Sequence, residues 1–182
     1  MHARIAELLA YFDSQLAHLR AVVDAVPQNV RDRRPSDGTW SVANVLEHVA
    51  IVDERIATLL TSTIEKARTD GLAAESSSEP ILPTLGVQQL ANREVKRAAP
   101  EVLHPRGLDA EAAWAAFERG HAVLRDAVRS GDGLALGTIT RKHPLFGELT
   151  LYHWIAFAGA HEARHAAQIE AIAASFSPSY TN

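Results

Sequence analysis

WIAFAGAHEARHAAQI, residues 154–169, decides the reading of this chain. Its apolar positions recur at helical rather than strand spacing, and nothing in it breaks a helix. At about 100° per residue, His161 and His165 stand only about 40° apart, one turn above the other on a single face. Leu151, Trp154, Ala158, Ile169 and Ile172 lie within roughly 80° of His161 on the same wheel. The two imidazoles therefore sit inside the apolar stripe and point into whatever core this helix covers. Each ring has two nitrogens that need partners, and a buried polar group without one costs about 1–3 kcal/mol. A metal ion answers that need by taking one lone pair from each ring, and an i, i+4 histidine pair is a common way for a helix to supply two ligands.

Three more amphipathic segments precede this one. The first runs from Ala3 to Val26, with Ile5, Leu8, Leu9, Phe12, Leu16, Leu19, Val23 and Val26 on one face, and stops at Pro27. The second starts after Ser41, a good helix cap, with Trp40 and Val45 placed to form a hydrophobic staple, and fades near Arg68. The third starts at Asp109, another cap, and reaches Arg129 with Trp114, Phe117, His121, Leu124 and Val128 along its seam. The fourth, which holds the histidine pair, spans Glu148 to Ser175. A short helix is expected over Leu85 to Lys96 inside the Pro- and Ser-containing connection from Leu72 to Leu108. Strand signals are nearly absent. The expected fold is all-α: one domain over residues 1–182, a four-helix bundle of up-down-down-up topology with a long crossover between helices 2 and 3.

A third ligand must come from another helix, and His48 fits by depth. It lies about seven residues into the second helix, roughly 10 Å from its start at 1.5 Å per residue, while His165 lies roughly 15 Å from the end of the fourth. Antiparallel packing of those helices brings the two to similar levels. Three histidines with a fourth position open is the pattern of a catalytic rather than a closed structural site. Asn44, one turn before His48, and Gln168, one turn after His165, are placed to orient a ligand or an imidazole. His121, on the seam of the third helix, is a candidate to line the same cavity and contact a substrate, or else is a packed or supporting residue. His143 belongs to the loop entering the fourth helix, toward the far end of the bundle; His2, His18, His104 and His153 read as surface residues.

Composition narrows the function. The chain has 182 residues, 47% hydrophobic, with 18 basic against 22 acidic side chains for a net charge of −4, which argues against nucleic acid as a partner. It has no cysteine, so thiolate nucleophiles and disulfides are excluded. No stretch is apolar enough for a membrane span or signal peptide, so the expected location is cytoplasmic with no membrane partner. His161-Glu162-Ala163-Arg164-His165 also matches the H-E-x-x-H string of zinc proteases. The continuation lacks the further Gly and His of the extended motif, and no sheet edge is expected to hold a peptide. Glu162, about 100° from His161, is expected to face a neighbouring helix or solvent.

Together, TWSVANVLEHV (39–49), APEVLHPRGL (99–108) and HPLFGELTLYHWIAFAGAHEARHAAQI (143–169) resemble the DinB/YfiT-like superfamily of small bacterial metal-binding bundles. The resemblance spans nearly the whole chain in order. It implies a four-helix bundle, often a homodimer, with a three-histidine site for zinc, nickel or a similar divalent ion such as iron. The family's ligands fall on His48, His161 and His165. Characterised relatives include thiol-dependent transferases and isomerases, and proposed metal-dependent hydrolases. The expectation is therefore a metal-dependent enzyme acting on a small electrophilic molecule, with a thiol cofactor as a possible partner. The alternative is a non-catalytic stress-response bundle whose metal is structural.

Overall fold

The computed structural model describes residues 1–92 and 98–176. In chain order the elements are α1 (Ala3–Asp24), α2 (Val42–Thr69), a five-residue α3 (Val87–Ala91), α4 (Ala110–Ser130), a hairpin of β1 (Thr140–His143) and β2 (Gly147–Thr150), and α5 (Leu151–Phe176). The four long helices match the four periodic segments closely. The caps are where the sequence puts them. Ser41 Oγ accepts from Asn44 N while Asn44 Oδ1 accepts from Ser41 N, a reciprocal capping box, and the Asp109 side chain accepts from Ala112 N. Within the described part of the span expected for the short helix, Val87–Ala91 are helical and Asn92 caps them, and residues 93–96 lie outside the described residues.

Contacts fix how the helices run. Gly120 lies against Ala50 and Asp53, and Gly131 against Ile64, so α2 and α4 advance in the same sense. Arg125 pairs with Asp13 and Arg20 with Glu118, so α1 and α4 run oppositely. Gly120 permits the close approach in the first pair: a Cβ there would stand 3.2 Å from the Ala50 carbonyl oxygen. The long connection from α2 to α4 returns along the bundle. It is pinned first to the loop after α4 by an isolated Ala74–Leu134 bridge, then to α1 through Arg4 and Glu75. Among the described residues no helix is long and apolar enough to cross a membrane.

The expectation of no sheet needs correction. Residues 140–150 form a two-stranded antiparallel hairpin, with His143 opposite Gly147 and Thr140 opposite Thr150. Gly147, at φ +72°, closes its three-residue turn. A lone hairpin is marginal in water. This one is held from outside, because Leu149 is buried and the Trp154 indole donates to the Arg141 carbonyl at 3.2 Å. Pairing of residues 147–150 also explains why α5 begins at Leu151 rather than Glu148.

The core is split. One apolar cluster takes Ile5 to Phe12 of α1, Val52 to Ile64 of α2, Leu124 to Val128 of α4 and Leu151 to Ala158 of α5. The second takes Leu19 to Val23, Val42 to Ala50, Ala113 and Phe117, and Ala166 to Ile172. Between them, at mid-bundle, lie the buried polar residues His48, Asp53, His121, His161, Glu162 and His165. A polar layer across a helical core is costly unless every member is partnered. That requirement directs attention to this level of the bundle.

Candidate metal centre

His48 comes from α2, and His161 and His165 from α5; they are 4%, 8% and 7% exposed. The Nε2 atoms converge: His161 Nε2 is 3.3 Å from His48 Nε2 and 3.1 Å from His165 Nε2. Tetrahedral ligands at about 2.05 Å from a zinc-like ion stand about 3.3 Å apart. The outer nitrogens say which atoms carry protons. His48 Nδ1 donates to the Leu103 carbonyl at 2.8 Å, and His165 Nδ1 donates to Gln168 Oε1 at 2.8 Å. A neutral imidazole that spends its proton at Nδ1 presents a bare lone pair at Nε2. Two such lone pairs are aimed at the ring of His161, whose own buried Nδ1 has no partner. One Nε2–H on His161 cannot satisfy both neighbours well. A cation at the meeting point satisfies all three, so these residues fit a divalent metal ion.

Two of the rings, His48 and His161, are held neutral, as metal ligation needs. Burial pushes His161 far below the usual histidine range, and the nearby His165 and His48 rings add to that. Burial also lowers His48, against the opposing pull of the Leu103 carbonyl. Aromatic rings flank the group: Trp40 lies 4.9 Å from the His48 ring and Phe157 5.6 Å from that of His161.

The segment before α4 supports His48 through a residue that the sequence did not single out. Glu47 is 4% exposed, and its carboxylate accepts from Arg106 N, Gly107 N and Leu108 N at 2.8, 2.9 and 3.0 Å. It thereby ties down the segment that carries the Leu103 carbonyl.

The remaining expected residues fall as follows. Gln168 meets His165 directly. The side-chain oxygen of Asn44 is engaged in the α2 cap. His121 is not beside the three histidines' Nε2 atoms. It stacks on Phe12 at 3.9 Å and donates from Nδ1 to Glu162 Oε1 at 2.9 Å, while burial pushes it down to about 4. Glu162 is fully buried against α2 and α4 and does not face solvent. His143 is not a free loop residue; it is buried in β1, 4.7 Å from the ring of Phe157, which in turn packs on His161. Asp53 was missed. Its signal was a carboxylate four residues after Val49 and three before Ile56, on the apolar stripe.

The sequence is similar to known proteins along most of its length. It is 28% identical over 150 residues to the uncharacterized protein YuaE of Bacillus subtilis (strain 168), covering 78% of this chain and 82% of that protein. Its structure resembles the crystal structure of TT2238, a four-helix bundle protein, with a TM-score of 0.57 at 22% identity, over 92% of this chain and 98% of the other. Residues 11–169 match the family model of the DinB superfamily, and the chain belongs to that superfamily.

Proposed function

We propose that this chain holds one divalent metal ion, zinc or nickel in the first instance, on His48, His161 and His165. In this reading the bound ion serves chemistry on a small electrophilic molecule. The observation that carries it is the convergence of three Nε2 atoms at 3.1 and 3.3 Å, two with their protons fixed on the far side of the ring. Such an ion supplies Lewis acidity, lowering the pKa of a water or thiol. The chain's own residues hold the rings at the right tautomer through Leu103 and Gln168 and keep bulk water away with Trp40 and Phe157. Three protein ligands leave a tetrahedral ion one position for an outside molecule. A thiol-dependent transfer or a hydrolysis fits that vacancy, and the chain, which lacks cysteine, must take any thiol from outside.

Elemental analysis of the purified protein tests the site. The three histidines are expected to account for about one ion per chain, and His161→Ala should lose that ion; a variant that keeps as much metal as the wild type overturns the assignment. Turnover of a low-molecular-weight thiol with a panel of electrophiles tests the chemistry. Absence of both turnover and thiol binding removes the transferase reading. The deep burial of all three histidines favours a second reading, a metal whose role is structural. Melting with and without chelator separates the two: a bundle that keeps its fold without metal supports chemistry, and one that loses it supports a structural ion.

A further inference from the structure

The mid-bundle layer contains a second cluster that the three-histidine centre does not use. Asp53 of α2, His121 of α4 and Glu162 of α5 are 0%, 3% and 0% exposed, and each offers a donor atom within 4.8 Å of the other two. Four of their polar atoms are buried with no donor from outside the cluster: Asp53 Oδ1 and Oδ2, Glu162 Oε2 and His121 Nε2; the Asp53 and Glu162 carboxyls face each other closely enough to share a hydrogen bond. Two carboxylates are acceptors only, so they cannot satisfy each other unless a proton lies between them. Among the described residues no lysine or arginine pairs with either. Among the described residues the only ion-pair partner in reach is His121, whose burial keeps its ring neutral. Ionised together, two fully buried acidic groups with no countercharge would be among the costliest arrangements a core can hold.

We infer that Asp53, His121 and Glu162 form a second metal site, distinct from the three-histidine centre, that takes a divalent first-row transition-metal ion with mixed oxygen and nitrogen preference, such as manganese. The charge balances, because two carboxylates and a neutral imidazole around a divalent ion sum to zero. The donor set suits the ion, since carboxylates favour manganese-like metals and imidazole favours the first-row series. The span suits it as well. Bonds of about 2.1 Å place ligands at most about 4.2 Å apart, so a closest fit asks for movements of a few tenths of an ångström. Three helices each supply one ligand, and α5 carries both sites on adjacent residues, His161 and Glu162. The site is closed on all sides, so the ion enters as the bundle forms and is retained.

The test uses the full chain expressed in medium enriched in manganese and zinc and purified without chelator. Elemental analysis is expected to find close to two ions per chain. Asp53→Asn should remove about one and leave the three-histidine ion in place, whereas His48→Ala should remove the other and leave this one. One ion in the wild type and one in Asp53→Asn would overturn the proposal, as would a more stable Asp53→Asn with unchanged metal content, the signature of a proton-sharing acid pair. Should Asp53→Asn fail to fold, an anomalous difference map of the wild-type crystal at the manganese edge decides. A peak among Asp53, His121 and Glu162 supports the site, and peaks confined to the histidines overturn it. Because the two sites are counted by separate variants, failure here leaves the three-histidine reading standing, and the reverse.

Discussion

Glu47→Gln isolates the contribution of one carboxylate to the metal ligand beside it, His48, through a segment far away in sequence. Glu47 Oε1 accepts from Arg106 N, and Oε2 accepts from both Gly107 N and Leu108 N. An amide in place of the carboxylate keeps one oxygen. Turned toward Gly107 and Leu108, it preserves two bonds as neutral ones and sets an N–H donor against Arg106 N–H. Hydrogen bonds to a charged group contribute about 1.5–3 kcal/mol and neutral ones about 0.5–1.5 kcal/mol. One lost and two weakened bonds sum to about 4 kcal/mol, and relaxation of the segment into water lowers the cost to about 2–3 kcal/mol. For a chain of this size that is a fall in Tm of roughly 4–12 °C. The second consequence is functional. The same segment holds the Leu103 carbonyl against His48 Nδ1, and loss of such an outer hydrogen bond lowers metal affinity about 10–100-fold. Thermal melts of the metal-free protein and competition with a chromophoric chelator measure the two effects separately. A variant with wild-type Tm and wild-type metal affinity would refute the coupling of this segment to the site.

Two other perturbations test the packing and the electrostatics. A Cβ on Gly159 would stand 2.6 Å from Tyr11 Cε1 and 3.1 Å from Cδ1, so Gly159→Ala must push the ring aside where α1 meets α5. Overpacking of about 1–3 kcal/mol outweighs the helix-propensity gain of about 1 kcal/mol, so urea denaturation should show a net loss near 1 kcal/mol; a variant as stable as wild type would mean that the ring swings freely. Glu75 accepts from Tyr152 Oη and Arg4 Nη1, each at 2.9 Å, and from Ser77 N. Burial opposes its charge, but the donors from Ser77, Tyr152 and Arg4 outweigh that and hold its carboxyl below the usual range. The sign follows: this stability is fully present above the unfolded carboxyl's pKa, about 4.5, and is lost as pH falls through the lower folded value. Glu75→Gln should therefore be less stable than wild type by about 1–2 kcal/mol at pH 7, and the gap should close below about pH 4.5. A gap that stays constant down to pH 3 contradicts the assignment.

The helices were legible because their signals are local. Ser41 and Asp109 mark their helix starts to the residue, and the 3.6-residue period of the stripes tells which side chains go inside. The histidine pair was legible for the same reason, since residues four apart on one helix share a face whatever the rest of the chain does. The hairpin was not, because its strands of four residues are stabilised by α5, to which Leu149 and the Arg141 carbonyl attach, rather than by their own sequence. Glu47 was hidden for a related reason: its partners lie 59 to 61 positions away and are backbone atoms, which no side-chain pattern announces.

Glu162 shows where a wheel diagram stops being informative. Its position, about 100° from His161, would reach solvent on a helix covered along one stripe. Helix α5 is covered on more than one side, by α1 and by α2, and from Trp154 to Glu162 every residue but the half-buried Phe157 is buried. A central helix has no polar face to lend, so each polar residue in its middle must meet a partner inside the bundle. His161, Glu162 and His165, on two adjacent turns of α5, therefore face polar residues of α2 and α4: His48 beside the two histidines, Asp53 and His121 beside the glutamate. A core that only needed to be stable would place leucine and alanine at these levels, as it does above and below them. The polar layer costs stability at mid-bundle, and the two apolar clusters on either side are what keep its side chains at fixed positions.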